Sequence, residues 1–146
     1  MRRLFPTSKK AQSYHCPAVG QTAYVSVYAN KLWNDSGIDM TLGQSYTFVV
    51  PENEIWVDAA KICGPNGYTS SYLMRPWEIL RRAPEANWFQ LIATIGRSVK
   101  PRIAVGSNLT DFLPPFTGRL YFFANDLPWM YWNNNGTLAV RVTRNQ

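Results

Sequence analysis

Oxygen donors and large aromatic rings are interleaved in one stretch of this chain, FFANDLPWMYWNNNGTLAVRV, residues 122–142. Asp126 offers a charged oxygen, and Asn133 and Asn134 offer neutral amide oxygens. Phe122, Phe123, Trp129, Tyr131 and Trp132 stand among them. A carboxylate, amide oxygens and the carbonyls of a tight loop are what Ca²⁺ takes, about six to eight hard oxygens in flexible geometry. With so few carboxylates the affinity falls in the weaker range of such sites. The spacing is not that of an EF-hand, whose acidic ligands alternate and end in Glu. A second reading needs no ion: Asn-Asn-Asn-Gly suits a hairpin turn, because Asn and Gly tolerate positive φ.

Strands must hold this stretch. GRLYFFA precedes it, and TLAVRVTR follows with Leu138, Val140 and Val142 on one face and Thr137, Ala139, Arg141 and Thr143 on the other. Upstream, AYVSVYA, SYTFVV, IWVDAAKI and KPRIAVGS read as further strands. NKLWNDSGIDMTLGQ reads as a turn, a short strand and another turn. WFQLIATIG is a continuous apolar run, which fits a strand buried on both faces. GPNGYTSSYLMRPW and NLTDFLPPFTG read as loops. RPWEILRRA is the one helical candidate, closed by Pro84. About eight short strands between Gly and Pro turns predict an all-β, jelly-roll-like antiparallel β-sandwich. The 146 residues suffice for one such domain. It is expected over 23–146, after an irregular basic N-terminal arm at 1–22.

The residues argue against an enzyme. The single His, His15, lies in the arm, no G-x-S-x-G elbow occurs, and no phosphate loop or dinucleotide fingerprint is present. Glu52/Glu54 and Glu78/Glu85 pair carboxylates, but nothing places either pair across a cleft as glycoside hydrolysis requires. The net charge of +6 is scattered, with no dense Lys/Arg stripe, so a basic protein is the simpler reading and no nucleic-acid partner is expected. Arg81 and Arg82 read as a solvated face. No apolar run reaches the ~18 residues of a membrane span. MRRLFPTSKK begins like a signal sequence, but Pro6, Ser8, Lys9 and Lys10 interrupt any apolar core. The expectation is a cytoplasmic protein, or one released without a Sec signal. Cys16 and Cys63 read as free thiols.

ANDLPWMYWNNNGTLAV resembles the calcium and sugar loop of the PA-IL family, the bacterial calcium-dependent galactophilic lectins. An N-D-x-P segment, a short loop and an N-N pair there lead into the final strand. LWNDSGIDMTLGQSYTF, IWVDAA, and LIATIG with AVG carry the likeness upstream at the level of pattern, over roughly 24–144. The resemblance implies a Ca²⁺ in a loop at one end of a galactose-binding-like sandwich, with a galactose-like sugar bound directly to it. Asp126 matches the carboxylate that touches both ion and sugar. Asn133 and Asn134 match the ligating amides, Asn133 also meeting the sugar. Met130 falls where the family uses a main-chain carbonyl, and Leu127 where the backbone approaches the sugar. A further carbonyl would come from Asp58, Ala59 or a close neighbour. Asp58 is also a second carboxylate near the implied ion.

Two departures stand out. Galactose-specific members carry a His and a Gln in the mid-chain loop to clasp the sugar's outer hydroxyls. Here GPNGYTSSYLMRPWE has neither, and Tyr68, Trp77 and Glu78 are its candidates for a sugar contact. Trp129 and Trp132 stand where the family prefers small residues; they either stack on a sugar or pack into the protein and close the site. Trp33, Trp56 and Trp88 read as core. The expected function is calcium-dependent carbohydrate binding. The alternatives are a non-catalytic structural or protein-interaction sandwich that has lost the sugar pocket, and a basic domain for an anionic polymer. Weak single sites gain from multivalency, which makes a homo-oligomer a reasonable expectation.

Overall fold

The structure, a computed structural model, describes residues 16–98 and 100–146. The 1–15 part of the expected arm, with His15, lies outside these residues. The described residues form ten strands in two antiparallel sheets. They are β1 (Thr22–Tyr28), β2 (Asn34–Met40), β3 (Tyr46–Val49), β4 (Trp56–Asp58), β5 (Lys61–Cys63), β6 (Leu91–Ile95), β7 (Arg102–Ala104), β8 (Asn108–Phe112), β9 (Gly118–Ala124) and β10 (Asn134–Arg144). One sheet runs β5-β4-β10-β3-β8, with β1 also paired to β10; the other runs β2-β9-β6-β7. The fold is an all-β sandwich, as the alternating patterns require. Among the described residues no helix is long and apolar enough to cross a membrane.

The core lies between the sheets. Leu138, Val140 and Val142 of β10 turn inward with Val25 and Val27 of β1 and meet Ile38, Phe48, Leu91, Leu120 and Phe122. The unbroken apolar run of β6 has a structural cause. Leu91, Ala93 and Ile95 face the main core. Ile92 faces a second cluster with Phe123, Ala83 and Ala86, against which Trp33 packs. Both faces of this strand are therefore covered, and all five of its residues are buried.

Asn34–Met40 is the strand expected within NKLWNDSGIDMTLGQ, seven residues long and paired with β9, with Asn34, Ser36, Ile38 and Met40 buried. Several other expected elements differ. IWVDAAKI is a hairpin rather than one strand: β4 and β5 pair around Ala59 and Ala60, with Ala59 at φ 53°. NLTDF, expected as loop, pairs with β3 as β8. The helical candidate is a 3-10 segment, Tyr72–Leu80, with Pro76 inside it and no buried residue. Ten strands replace about eight because these short pieces add to the ladder. Asn135 and Gly136 are not a turn. They lie in β10, paired with Val57 and Trp56. Gly136 sits at φ 93°, where a Cβ would meet Trp56 Cα at 3.0 Å. Trp56 and Trp88 are buried, but Trp33 is half-exposed.

Candidate functional site

β9 belongs to one sheet and β10 to the other, so residues 125–133 cross between the sheets at one end of the sandwich. Fixing such a crossing requires its backbone groups to find partners. Asn125, fully buried, ties the start of the crossing to the 83–89 segment. Its Oδ1 accepts the Ala83 N–H at 2.9 Å, and its Nδ2 donates to the carbonyls of Ala83 and Asn87, each at 2.8 Å. The Phe89 N–H donates to its carbonyl at 2.7 Å. The Arg82 N–H then donates to the Asp126 carbonyl at 3.2 Å. Asp126 is thereby held at the strand end.

Tyr131 anchors the far side of the crossing. Its hydroxyl donates to the Ala124 carbonyl. The Arg82 guanidinium donates to that hydroxyl at 2.9 Å and lies 3.6 Å from the Phe123 ring centroid. Arg82 also covers Trp33 at 4.4 Å. Arg81 donates to the Pro84 carbonyl at 2.6 Å and stands over Trp88. Both arginines are 8% exposed, so the expected solvated face is instead a buried frame for the loop. A guanidinium can be buried this way because its planar face packs on rings while its edge donates. Sequence reasoning gave Asn125 and Arg82 no such role, and no local pattern signals it.

The register of β10 against β4 brings the predicted oxygen donors together. Asn134 lies opposite Asp58, and the Ala59 N–H donates to the Asn133 carbonyl at 3.2 Å. Asn134 Nδ2 donates to the Ala29 carbonyl at 3.1 Å, which leaves Oδ1 for the site. Asp126 Oδ1 accepts the Leu127 N–H at 2.7 Å. Asp126 Oδ2, Asn133 Oδ1 and Asn134 Oδ1 are buried without a hydrogen-bond partner among the described residues. Such orphaned acceptors are uncommon in native proteins, because each costs about 1–3 kcal/mol.

Asp126 is 3% exposed. Burial first, and the Asp58 charge second, push its carboxyl up to about 6, against the Leu127 N–H and the Asn134 amide. The Tyr68 hydroxyl donates to Asp58 Oδ2, and Lys61 Nζ lies 3.9 Å from the Tyr68 ring centroid. Burial and this bond to Asp58 raise the Tyr68 phenol far above its usual range, so it stays a donor. Burial, then Asp58, pushes the nearby Cys63 thiol up to about 11, which makes it a poor thiolate ligand. Cys63 is half-buried, Cys16 is exposed, and both are free. Among the described residues no three His, Cys, Asp or Glu side chains cluster.

A pocket of about 290 Å³ opens beside Asp126, the one side chain of the Asp126, Asn133 and Asn134 trio that lines it. Asp58 and Asp126 supply its carboxylates. Leu127, Trp129 and Met130 line it from the crossing loop, with Met74 and Trp77 from the 3-10 segment and Trp88. Trp129 is 55% exposed and does not seal the site. Trp132, 78% exposed, stands outside the pocket lining, so the two tryptophans part company. Ala59 is exposed beside Asn133, and Tyr68 reaches the site only through Asp58.

No family model matches the chain. No curated protein matches it. Among solved structures, the chain is similar to the EclA N-terminal domain, described as a PllA-like lectin. The TM-score is 0.63 at 19% identity, over 84% of this chain and 95% of that one. The two share a fold. At this identity the likeness concerns architecture, and the site rests on its own residues.

Proposed function

We propose that this domain binds carbohydrate through a calcium ion held by Asp126, Asn133 and Asn134. The observation that carries the reading is the trio of buried, unpartnered oxygens on those three side chains. A hard cation satisfies acceptor-only groups that no protein donor reaches. The donor set fits Ca²⁺: one firm carboxylate, two amide oxygens, and carbonyls of the same loops. Met130 and the Asp58–Ala59 turn would add carbonyls. The Met130 carbonyl takes only a 3.4 Å contact from the Asn133 N–H, and one lone pair remains. Asp58 contributes charge from beside the site, oriented by Tyr68.

When bound, the ion supplies open coordination positions for sugar hydroxyls. The chain's own part is to orient that sugar. Asp126 can accept a hydroxyl proton as well as face the ion, Asn133 sits at the loop's far side, and the Leu127 backbone borders the pocket. Trp129 presents a ring of the kind that packs against the apolar face of a sugar. A lectin-like sandwich in the structural comparison supports the carbohydrate class. The His-and-Gln clasp of the galactose-specific pattern is missing from the mid-chain loop, so the sugar need not be galactose.

The test is retention on a panel of immobilised sugars, galactosides included, in CaCl₂ and again in EDTA. Retention on at least one sugar that EDTA abolishes is expected. No retention on any glycan with calcium present would instead favour an interaction domain that keeps the sandwich without the sugar pocket.

A further inference from the structure

The chain contains two Asn-Gly pairs, Asn66-Gly67 and Asn135-Gly136. Such a pair can rearrange without an enzyme. The glycine nitrogen can attack the carbonyl carbon of the asparagine side chain, because no Cβ crowds the approach. Where the fold holds the two groups decides whether it does.

Asn66 is tied down. Its Oδ1 accepts the Ser107 N–H at 2.9 Å, and its Nδ2 donates to Ser107 Oγ at 3.2 Å. The Gly67 N–H donates elsewhere, to the Gly64 carbonyl at 3.1 Å. Asn135 is held the opposite way. It is exposed, and its Oδ1 accepts the Gly136 N–H itself at 3.0 Å. The cause lies in the neighbouring residue. The Ala29 N–H donates to the Gly136 carbonyl at 3.1 Å, as a strand partner would, but the Ala29 carbonyl is taken by Asn134 Nδ2 at 3.1 Å. The Gly136 N–H turns instead to the Asn135 side chain. The contact that leaves Asn134 Oδ1 for the ion site therefore also sets the glycine nitrogen beside its target.

We propose that Asn135 is a site of spontaneous deamidation whose isoaspartyl product breaks the strand pairing beneath the oxygen cluster. The Gly136 nitrogen gives up its proton to water and bonds to Asn135 Cγ. The Cγ–Nδ2 bond breaks, and Nδ2 takes up a proton and leaves as ammonia. Water then opens the resulting cyclic imide at either carbonyl. One opening leaves aspartate at 135. The other routes the main chain through the side chain and adds a methylene between 135 and 136. The net reaction consumes water and releases ammonia, and nothing is oxidised or reduced.

The second product disrupts this place in particular. β4 has three residues, and β10 pairs with it through Asn134–Asp58, Asn135–Val57 and Gly136–Trp56. Trp56 is fully buried, so it cannot follow a shifted partner. A carbon inserted within the run puts Asn134 out of step with Asp58 while Gly136 stays against Trp56. The consequence for calcium rests on the calcium reading; the modification itself does not.

The experiment ages the full chain in EDTA in warm, mildly alkaline buffer, with Asn135→Gln and Asn135→Asp alongside, and locates deamidation by fragment mass spectrometry. Asn135 should deamidate at least about tenfold faster than Asn66, the difference between a nitrogen held at its target and one held away from it. Asn135→Gln, whose ring would need a further atom, should stay intact at that position and keep its midpoint through ageing. The isoaspartyl fraction, separated by chromatography, should melt several degrees below the fresh chain in EDTA and lose the rise in midpoint that calcium gives. Asn135→Asp has the new charge on an ordinary main chain and should keep most of that rise. Deamidation absent at Asn135, or equally fast at Asn66, overturns the assignment. An isoaspartyl fraction that melts like the fresh chain in EDTA overturns the broken pairing, and so does an Asn135→Asp variant that melts equally low. A fresh wild type unmoved by calcium, with the mass spectra and EDTA melts as expected, overturns the calcium reading alone.

Discussion

Asp126→Asn tests the ion site from the side of the cation-free protein. The buried carboxyl titrates near 6 in the folded chain, against an ordinary 3.8. An acid whose folded value is raised binds more protons folded than unfolded between those two values. Stability therefore falls as pH rises through that window, and the loss is complete above it. A shift of about 2 units is worth about 3 kcal/mol at pH 7. The cause is a charge buried among acceptors and beside Asp58. Asparagine carries no charge, keeps an oxygen for the Leu127 N–H, and replaces a buried acceptor with an NH₂ donor. In EDTA at pH 7 the variant should thus be more stable than the wild type, by up to about 3 kcal/mol, or on the order of 10 °C in Tm for a domain this size. The advantage should vanish below about pH 4, where both side chains are neutral. Calcium should reverse the order. Saturating CaCl₂ raises the wild-type midpoint, because a ligand that binds only the native state stabilises it, and the variant gains much less. The assay is a thermal melt of both proteins, with EDTA and with CaCl₂, from pH 4 to pH 8. A wild-type midpoint unmoved by calcium, together with a variant no more stable in EDTA, would refute the reasoning. It would mean that Asp126 is neither an electrostatic burden nor a ligand.

Two further predictions follow from the geometry. Gly136→Ala should cost about 2 kcal/mol or more in urea unfolding, because the new Cβ meets Trp56 at a positive φ. It should also weaken the calcium response, since Gly136 fixes the register that sets Asn134 opposite Asp58. Trp129→Ala and Trp132→Ala should both leave the melting midpoint within a degree or two, as both rings are largely exposed. Retention on the sugar resin should fall only for Trp129→Ala, which lines the pocket. Equal losses for both variants would show that the whole loop face, not the pocket, makes the contact.

The sequence determined what local alternation and chemistry can determine. Period-two patterns fixed the sandwich class and the inward faces of β1 and β10, where one face is buried and the other wet. The unbroken run at Leu91–Ile95 announced a strand covered on both sides. Asp126, Asn133 and Asn134 were legible as hard oxygen donors because their side-chain types say so wherever they sit. Other features depended on which strand became whose neighbour. Asn135–Gly136 looked like a hairpin turn because the residues tolerate one, yet β9 and β10 lie in different sheets, and the segment is strand instead. Arg81 and Arg82 looked solvated because charge ordinarily is; the Trp33 and Phe123 rings that bury Arg82 come from distant parts of the chain, and Trp88 covers Arg81 from seven residues downstream. Trp129 and Trp132, three residues apart, are indistinguishable by type and neighbourhood. Tertiary packing alone put one at the pocket and left the other outside it, because the pocket's other lining residues include Met74 and Trp77, from a segment some fifty residues upstream.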